Sequence, residues 1–111
     1  MPRDVPTDLW VSALLRRANL AGAFATIVHR GDAERGDVLV KVLRARGEAD
    51  LYGPAFNPEG PSEFERLEVE GESGVDSLVT RRRASDRDLW VIEIEDPAGR
   101  HFLTETVRSP K

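Results

Sequence analysis

The chain has 111 residues, of which 40% are hydrophobic and 32% are charged, as in an ordinary globular protein. This length predicts a single domain, residues 1–111, built around one core. The absence of cysteine excludes disulfides, thiolate metal sites and thiol catalysis. No apolar run is long enough to cross a membrane and no basic leader precedes the first one, so we expect a cytoplasmic protein.

The net charge of −4 arises in the middle of the sequence. Residues 57–80 hold seven carboxylates and one arginine, whereas the segments on either side are nearly neutral. Binding to nucleic acid or to an anionic membrane generally needs a basic surface. The charge therefore disfavours both as partners and leaves a protein partner or a homo-oligomer.

The first predicted element is an amphipathic helix over residues 8–21. Apolar residues recur in it at spacings of three and four, as on one face of a helix. They are Trp10, Val11, Leu14, Leu15, Ala18 and Ala21. Thr7 or Asp8 can cap its start, and Gly22 suits the left-handed residue that ends such a helix.

Strands follow this helix. Branched apolar residues predict strands at Phe24–His29 and Val38–Leu43, separated by a turn, and a short strand near Ala49–Tyr52. Three prolines and two glycines in residues 53–63 predict a long loop, because proline cannot donate to a strand ladder.

The second half continues with a strand at Arg66–Glu70, where apolar and charged residues alternate. Ser73–Asp76 matches a capping box, which predicts the start of a second helix. Asp88–Glu95 is the strongest strand pattern. Asp96–Gly99 fits a type I turn, from which the chain is expected to return as a hairpin strand at His101–Thr104.

These elements have the order α-β-β-β-β-α-β-β. We therefore expect an α+β fold: a single, mostly antiparallel sheet of about five to six strands, with both helices packed on one face. The chain ends, 1–6 and 108–111, are expected to fray.

One cluster could carry chemistry. Glu93 and Glu95 project from one face of the strongest strand, and the expected hairpin would bring His101 near Asp96. Carboxylates and an imidazole in this arrangement could hold a divalent metal and activate water for hydrolysis. The alternative is a solvated strand face, since the spacing matches no defined metal motif.

Two other groups could bind a partner. Arg81–Arg83 form the densest basic run and, with Tyr52 as a stacking partner, could make a weak contact with RNA; the alternative is a solvated helix end. Leu39, Leu43 and Phe102 could lie on a less covered sheet face and be buried by a second chain; the alternative is that the helices cover them. No catalytic residue and no cofactor-binding residue is predicted.

Several segments together resemble a bacterial family known as domain of unknown function 1491. They are LWVSALLRR (9–17), RGD (30–32) leading into VLVKV (38–42), LYGP (51–54), DLWVIEIED (88–96) and GRHFL (99–103). The resemblance extends from Asp8 to Leu103 and implies a small stand-alone protein with no established activity or cofactor.

The residues and the resemblance together leave enzymatic activity open and favour its absence. We expect an interaction module that self-associates or docks onto a protein partner. A metal-dependent hydrolase using Glu93, Glu95, Asp96 and His101 is the alternative, and RNA contact through Arg81–Arg83 is the third.

Overall fold

A computed structural model describes residues 5–109 of the chain. In this part it contains two helices and six strands, in the chain order that the sequence predicts. The elements are α1 (Thr7–Leu20), β1 (Phe24–His29), β2 (Val38–Ala45), β3 (Glu48–Ala55), β4 (Glu63–Arg66), α2 (Gly71–Ser85), β5 (Trp90–Glu95) and β6 (Thr106–Arg108).

Helix α1 buries four residues of the predicted stripe, Trp10, Val11, Leu14 and Ala18, whereas Leu15 is half-buried and Ala21 is exposed beyond the end of the helix. The start of the helix also differs from the prediction. Pro6 occupies the N-cap, and neither Thr7 nor Asp8 caps the helix with its side chain. The Thr7 hydroxyl instead donates to the carbonyl oxygen of Gly36 at 3.0 Å, which ties the helix to the loop before β2. Gly22 has a φ of +95°, as expected for the residue that ends the helix.

The six described strands form one sheet in the order β1-β5-β2-β3-β4-β6. Three neighbouring pairs are antiparallel, whereas β2 with β5 and β4 with β6 are parallel. The prediction of a mostly antiparallel sheet is therefore wrong, and the sheet is mixed. The chain reaches β5 through the crossover helix α2, so β5 enters between β1 and β2 and lies parallel to β2.

The prediction of a final hairpin is also wrong. The turn itself is confirmed, because the Gly99 N–H donates to the carbonyl oxygen of Asp96 at 2.9 Å. Residues 100–104 nevertheless form no strand, and the chain continues to β6, which pairs with β4. Both edges of β5 are already paired with β1 and β2, so a returning strand has no free edge there.

The two helices pack on opposite faces of the sheet, which corrects the prediction that they share one face. The α1 face is a cluster built on Trp10, Val11, Leu14, Val38, Val40, Val42, Phe64, Trp90, Ile92 and Ile94. The α2 face is a second cluster, built on Leu39, Leu51, Val75, Leu89 and Val91. Strands β2 and β5 carry apolar side chains on both faces, so both faces need a covering helix.

Two predicted boundaries also change. Strand β3 runs on to Ala55 and pairs Pro54 with Phe64 of β4, so the loop predicted at 53–63 spans only 56–62. The frayed ends were expected at 1–6 and 108–111. Residues 1–4 and 110–111 lie outside the described part, and Arg108 belongs to β6 instead of a frayed tail.

Candidate interaction surface

Among residues 5–109, strand β1 forms one edge of the sheet and pairs on one side only, with β5. Ala25 and Ile27 belong to the core on the α1 face, whereas Phe24 lies on the other side and is 60% exposed. Helix α2 packs mainly on β3 and β2, so it leaves this end of the sheet open. Val28, beside a bulge in the ladder, is 55% exposed. We call this strand and its outward backbone the β1 edge.

The two ends of the β1 edge differ in charge. At the start of the strand, Phe24 pairs with Glu95 of β5, whose carboxylate is exposed. At the other end, the Nδ1 atom of His29 accepts a hydrogen bond of 3.0 Å from Nη2 of Arg83 on α2. An acidic group therefore borders one end of the edge and a guanidinium borders the other.

A buried lysine joins α2 to the sheet. Lys41 of β2 is 7% exposed, and its Nζ donates to Glu72 at 2.8 Å and to Asp76 at 2.9 Å, with Glu93 at 3.5 Å. Desolvation lowers the pKa of Lys41, but the hydrogen bonds to Glu72 and Asp76 and the charge of Glu93 outweigh it and raise the pKa above its ordinary value. Glu72 and Asp76 are therefore the hydrogen-bond acceptors of Lys41. The predicted Ser73–Asp76 capping box does not form the start of α2, because the helix begins at Gly71 with no side-chain cap.

The four residues predicted as a metal site lie in different surroundings. Glu93 faces Lys41, and Glu95 lies exposed at the end of β5. The Asp96 carboxylate accepts hydrogen bonds from Nε and Nη2 of Arg100 at 2.8 and 3.1 Å, and these lower the pKa of Asp96 to about 2. His101 lies in the segment that leads to β6. Among residues 5–109, no group of three or more histidines and carboxylates is placed to hold a metal ion.

The residues predicted to bind a partner are also separated. Arg81 and Arg82 are exposed on α2, but Tyr52 is buried on the opposite, α1 face, with His101 packed edge-on at 4.9 Å between ring centroids. Phe102 is half-buried, with the guanidinium of Arg100 4.8 Å from its ring centre. A base therefore cannot stack on Tyr52 while it contacts these arginines.

Residues 100–105 form a strap, the segment that crosses α1 on the way to β6. Phe102 has a φ of +60°, which is uncommon for a residue other than glycine. Arg17 of α1 holds its carbonyl oxygen with two hydrogen bonds, of 3.1 and 2.8 Å. Trp10 donates through Nε1 to Glu105 at 2.7 Å. Helix α1 thus holds the strap at two points, Phe102 and Glu105.

His101 makes the strap sensitive to acid. Its Nδ1 accepts the Leu103 N–H at 2.9 Å, and burial lowers the pKa of His101 below its ordinary value. The neutral ring is therefore favoured in the folded state, so its contribution to stability is full above the ordinary histidine pKa and is lost as the pH falls. We expect His101→Gln to flatten the loss of urea stability between neutral and mildly acidic pH, while His29→Gln retains it. Equal pH profiles for the wild type and His101→Gln would contradict this assignment.

A family model described as a protein of unknown function, DUF1491, matches residues 5–104. The chain belongs to the DUF1491 family. No curated protein matches it.

Solved structures of similar proteins, two of them DUF1491 family proteins, have the same fold. A crystal structure from Caulobacter crescentus CB15 is 46% identical, covers 93% of this chain and 98% of its own, and has a TM-score of 0.86. A solution structure of a DUF1491 protein from the same organism is 47% identical, with 93% and 96% covered and a TM-score of 0.84. A solution structure of a protein from A. tumefaciens is 32% identical, with 91% and 93% covered and a TM-score of 0.78.

Two features of this DUF1491 chain escaped the sequence analysis. The open β1 edge depends on which strands become neighbours, and no local pattern reports that. The sequence did contain an indication that Lys41 is buried, since it lies between Leu39 and Leu43 on the same face of β2.

Within residues 5–109, neither helix has the length and apolar character needed to cross a membrane.

Proposed function

We propose that this DUF1491 protein is a non-enzymatic interaction module that self-associates, with the β1 edge of one copy paired to the β1 edge of a second. The exposed Phe24 on an unpaired edge strand carries this proposal. An open edge presents a row of free N–H and C=O groups to any chain that can pair with it. Pairing two copies satisfies those groups and covers one side of Phe24 and Val28 with side chains of the second strand.

A second copy fits this edge better than an unrelated strand does. Two identical strands that meet across a two-fold axis run antiparallel, so each contact is made twice. The start of one β1 then lies beside the end of the other. This places the end that carries Glu95 near the end that carries Arg83 of the second copy, and unlike charges favour that arrangement.

The test is the oligomeric state, measured by analytical ultracentrifugation over a range of concentrations. We expect the wild type to dimerise and Phe24→Lys to weaken the dimer at least about tenfold, because a lysine on an edge strand resists pairing. Phe56→Lys is the matched control. Phe56 is 83% exposed and lies in the loop at the other side of the sheet, where its carbonyl oxygen accepts from Arg108 of β6.

Three outcomes would contradict the proposal. The first is a wild type that stays monomeric at high concentration. The second is equal dissociation of Phe24→Lys and Phe56→Lys, which would indicate a general effect of added charge. The third is a dimer that Phe24→Lys leaves intact, which would place the interface elsewhere.

A further inference from the structure

A cleft of about 330 Å³ lies at one end of the sheet, where β2 and β5 finish and β1 begins. Strands β2 and β5 are parallel, so their carboxyl ends meet at this point. Small molecules commonly bind outside the carboxyl ends of parallel strands, in sites that begin at about this volume. The cleft is therefore placed and sized for a small ligand.

The floor of the cleft is a row of three side chains on neighbouring strands. Glu95 of β5 pairs with Phe24 of β1 on one side and with Leu43 of β2 on the other. Residues paired in this way point to the same face of a sheet. Phe24 is largely exposed and Leu43 is half-buried, so the floor offers two apolar surfaces with a carboxylate between them.

The wall of the cleft comes from the end of β2, with Arg44, and from the turn that follows it, with Arg46. Arg44 is already paired, with Asp50 at 3.1 Å and Glu48 at 3.3 Å. Neither the side chain of Arg46 nor that of Glu95 forms a hydrogen bond or ion pair with another residue of the described range 5–109. The cleft thus contains one uncompensated cation and one uncompensated anion beside its apolar floor.

We infer that this cleft binds a free amino acid with an aromatic or branched apolar side chain. The guanidinium of Arg46 binds the ligand carboxylate, Glu95 accepts the ammonium group, and Phe24 with Leu43 contacts the side chain. A ligand with a carboxylate alone is repelled by Glu95, and one with an amine alone is repelled by Arg46. The proposed dimer also uses Phe24 and Glu95, so the inference concerns the monomer, in which both side chains line the cleft, and the titration is made at a protein concentration below that of dimerisation.

The probe is L-phenylalanine, titrated into the ¹⁵N-labelled full chain and followed by amide chemical shifts. We expect saturable shifts of the amide signals of Leu43–Arg46 and Glu95. The Kd should be about 1 mM, because the cleft is open and the ligand is small. L-leucine should bind similarly. Glycine, 3-phenylpropionate and phenethylamine, which each lack one of the three groups, should bind at least about tenfold more weakly.

Two variants test the assigned residues. Arg46→Gln and Glu95→Gln should each weaken L-phenylalanine about tenfold, because each removes one charged partner. Arg82 is an exposed arginine on α2, away from the cleft, so Arg82→Gln should bind L-phenylalanine as the wild type does. Dispersed amide spectra confirm that each variant is folded. The inference is overturned if L-phenylalanine gives no saturable shifts, if 3-phenylpropionate binds equally well, or if both cleft variants retain wild-type affinity.

Discussion

A Lys41→Met variant is expected to unfold with a free energy about 3 kcal/mol lower than that of the wild type, measured by urea denaturation at neutral pH. Methionine retains the apolar stem of the side chain, so the loss comes from the charge. Without the ammonium group, Glu72, Asp76 and Glu93 stay close together between α2 and the sheet with no cation among them. Their mutual repulsion and their partial burial then oppose the docking of α2.

The charge origin of this effect can be isolated. Lys41→Met combined with Glu72→Gln and Asp76→Asn should recover most of the lost stability, because the stranded carboxylates are gone. Arg44→Met, which breaks a more exposed pair with Asp50, should cost less than about 1 kcal/mol. A triple variant as unstable as Lys41→Met would show that packing, and not charge, accounts for the loss.

The same cluster sets a pH dependence. The hydrogen bond from Lys41 lowers the pKa of Glu72, so this pair contributes fully above the ordinary glutamate pKa and is lost as the pH falls. The raised pKa of Lys41 means that its own contribution declines only at strongly alkaline pH. The stability difference between the wild type and Lys41→Met should therefore narrow in acid.

Gly36→Ala is expected to destabilise the protein by about 2 to 3 kcal/mol, because a methyl group there would overlap the backbone carbonyl of Asp88. Gly31 approaches the same carbonyl, so Gly31→Ala should have a similar effect. The backbone cannot easily move away. The Asp32 N–H donates to the Asp88 oxygen at 3.0 Å, and Trp90 donates through Nε1 to the Asp32 oxygen at 2.7 Å. Thermal unfolding measures the loss.

Gly74→Ala provides the matched control for these glycine variants. Gly74 lies in α2 and has a negative φ, and the nearest atom to an added methyl group is 3.9 Å away, on Val69. Alanine favours a helix over glycine, so this variant should be more stable by roughly 0.5 to 1 kcal/mol. Stability in Gly36→Ala equal to that of the wild type would mean that the loop before β2 yields freely.

Periodicity within a segment predicted the helices and strands of this fold, but it did not predict which strands pair with each other. The stripe on α1, the branched residues of β1 and β2, and the turn at Asp96–Gly99 are local patterns, and the structure places each of them as predicted. Which strands are neighbours depends on the whole chain. The apolar residues on both faces of β2 are typical of a central strand with a helix on each face, whereas the prediction placed both helices on one face.

The candidate sites show the same division. Alternation on β5 correctly indicated that Glu93 and Glu95 share a face, but their neighbours come from β1 and β2, far away in sequence. The predicted hairpin would have brought His101 to these acids. Because β5 has no free edge, His101 instead leaves the sheet and packs on Tyr52.

The insertion of β5 between β1 and β2 has a consequence for synthesis on the ribosome. When residue 70 leaves the exit tunnel, β2, β3 and β4 can already pair, but β1 has no partner until residues 90–95 follow. Helix α1 and strand β1 therefore cannot join the sheet until β5 has been synthesised. Such distant closure makes folding slow, and acquisition of the native state is expected to coincide with the emergence of the last twenty or so residues.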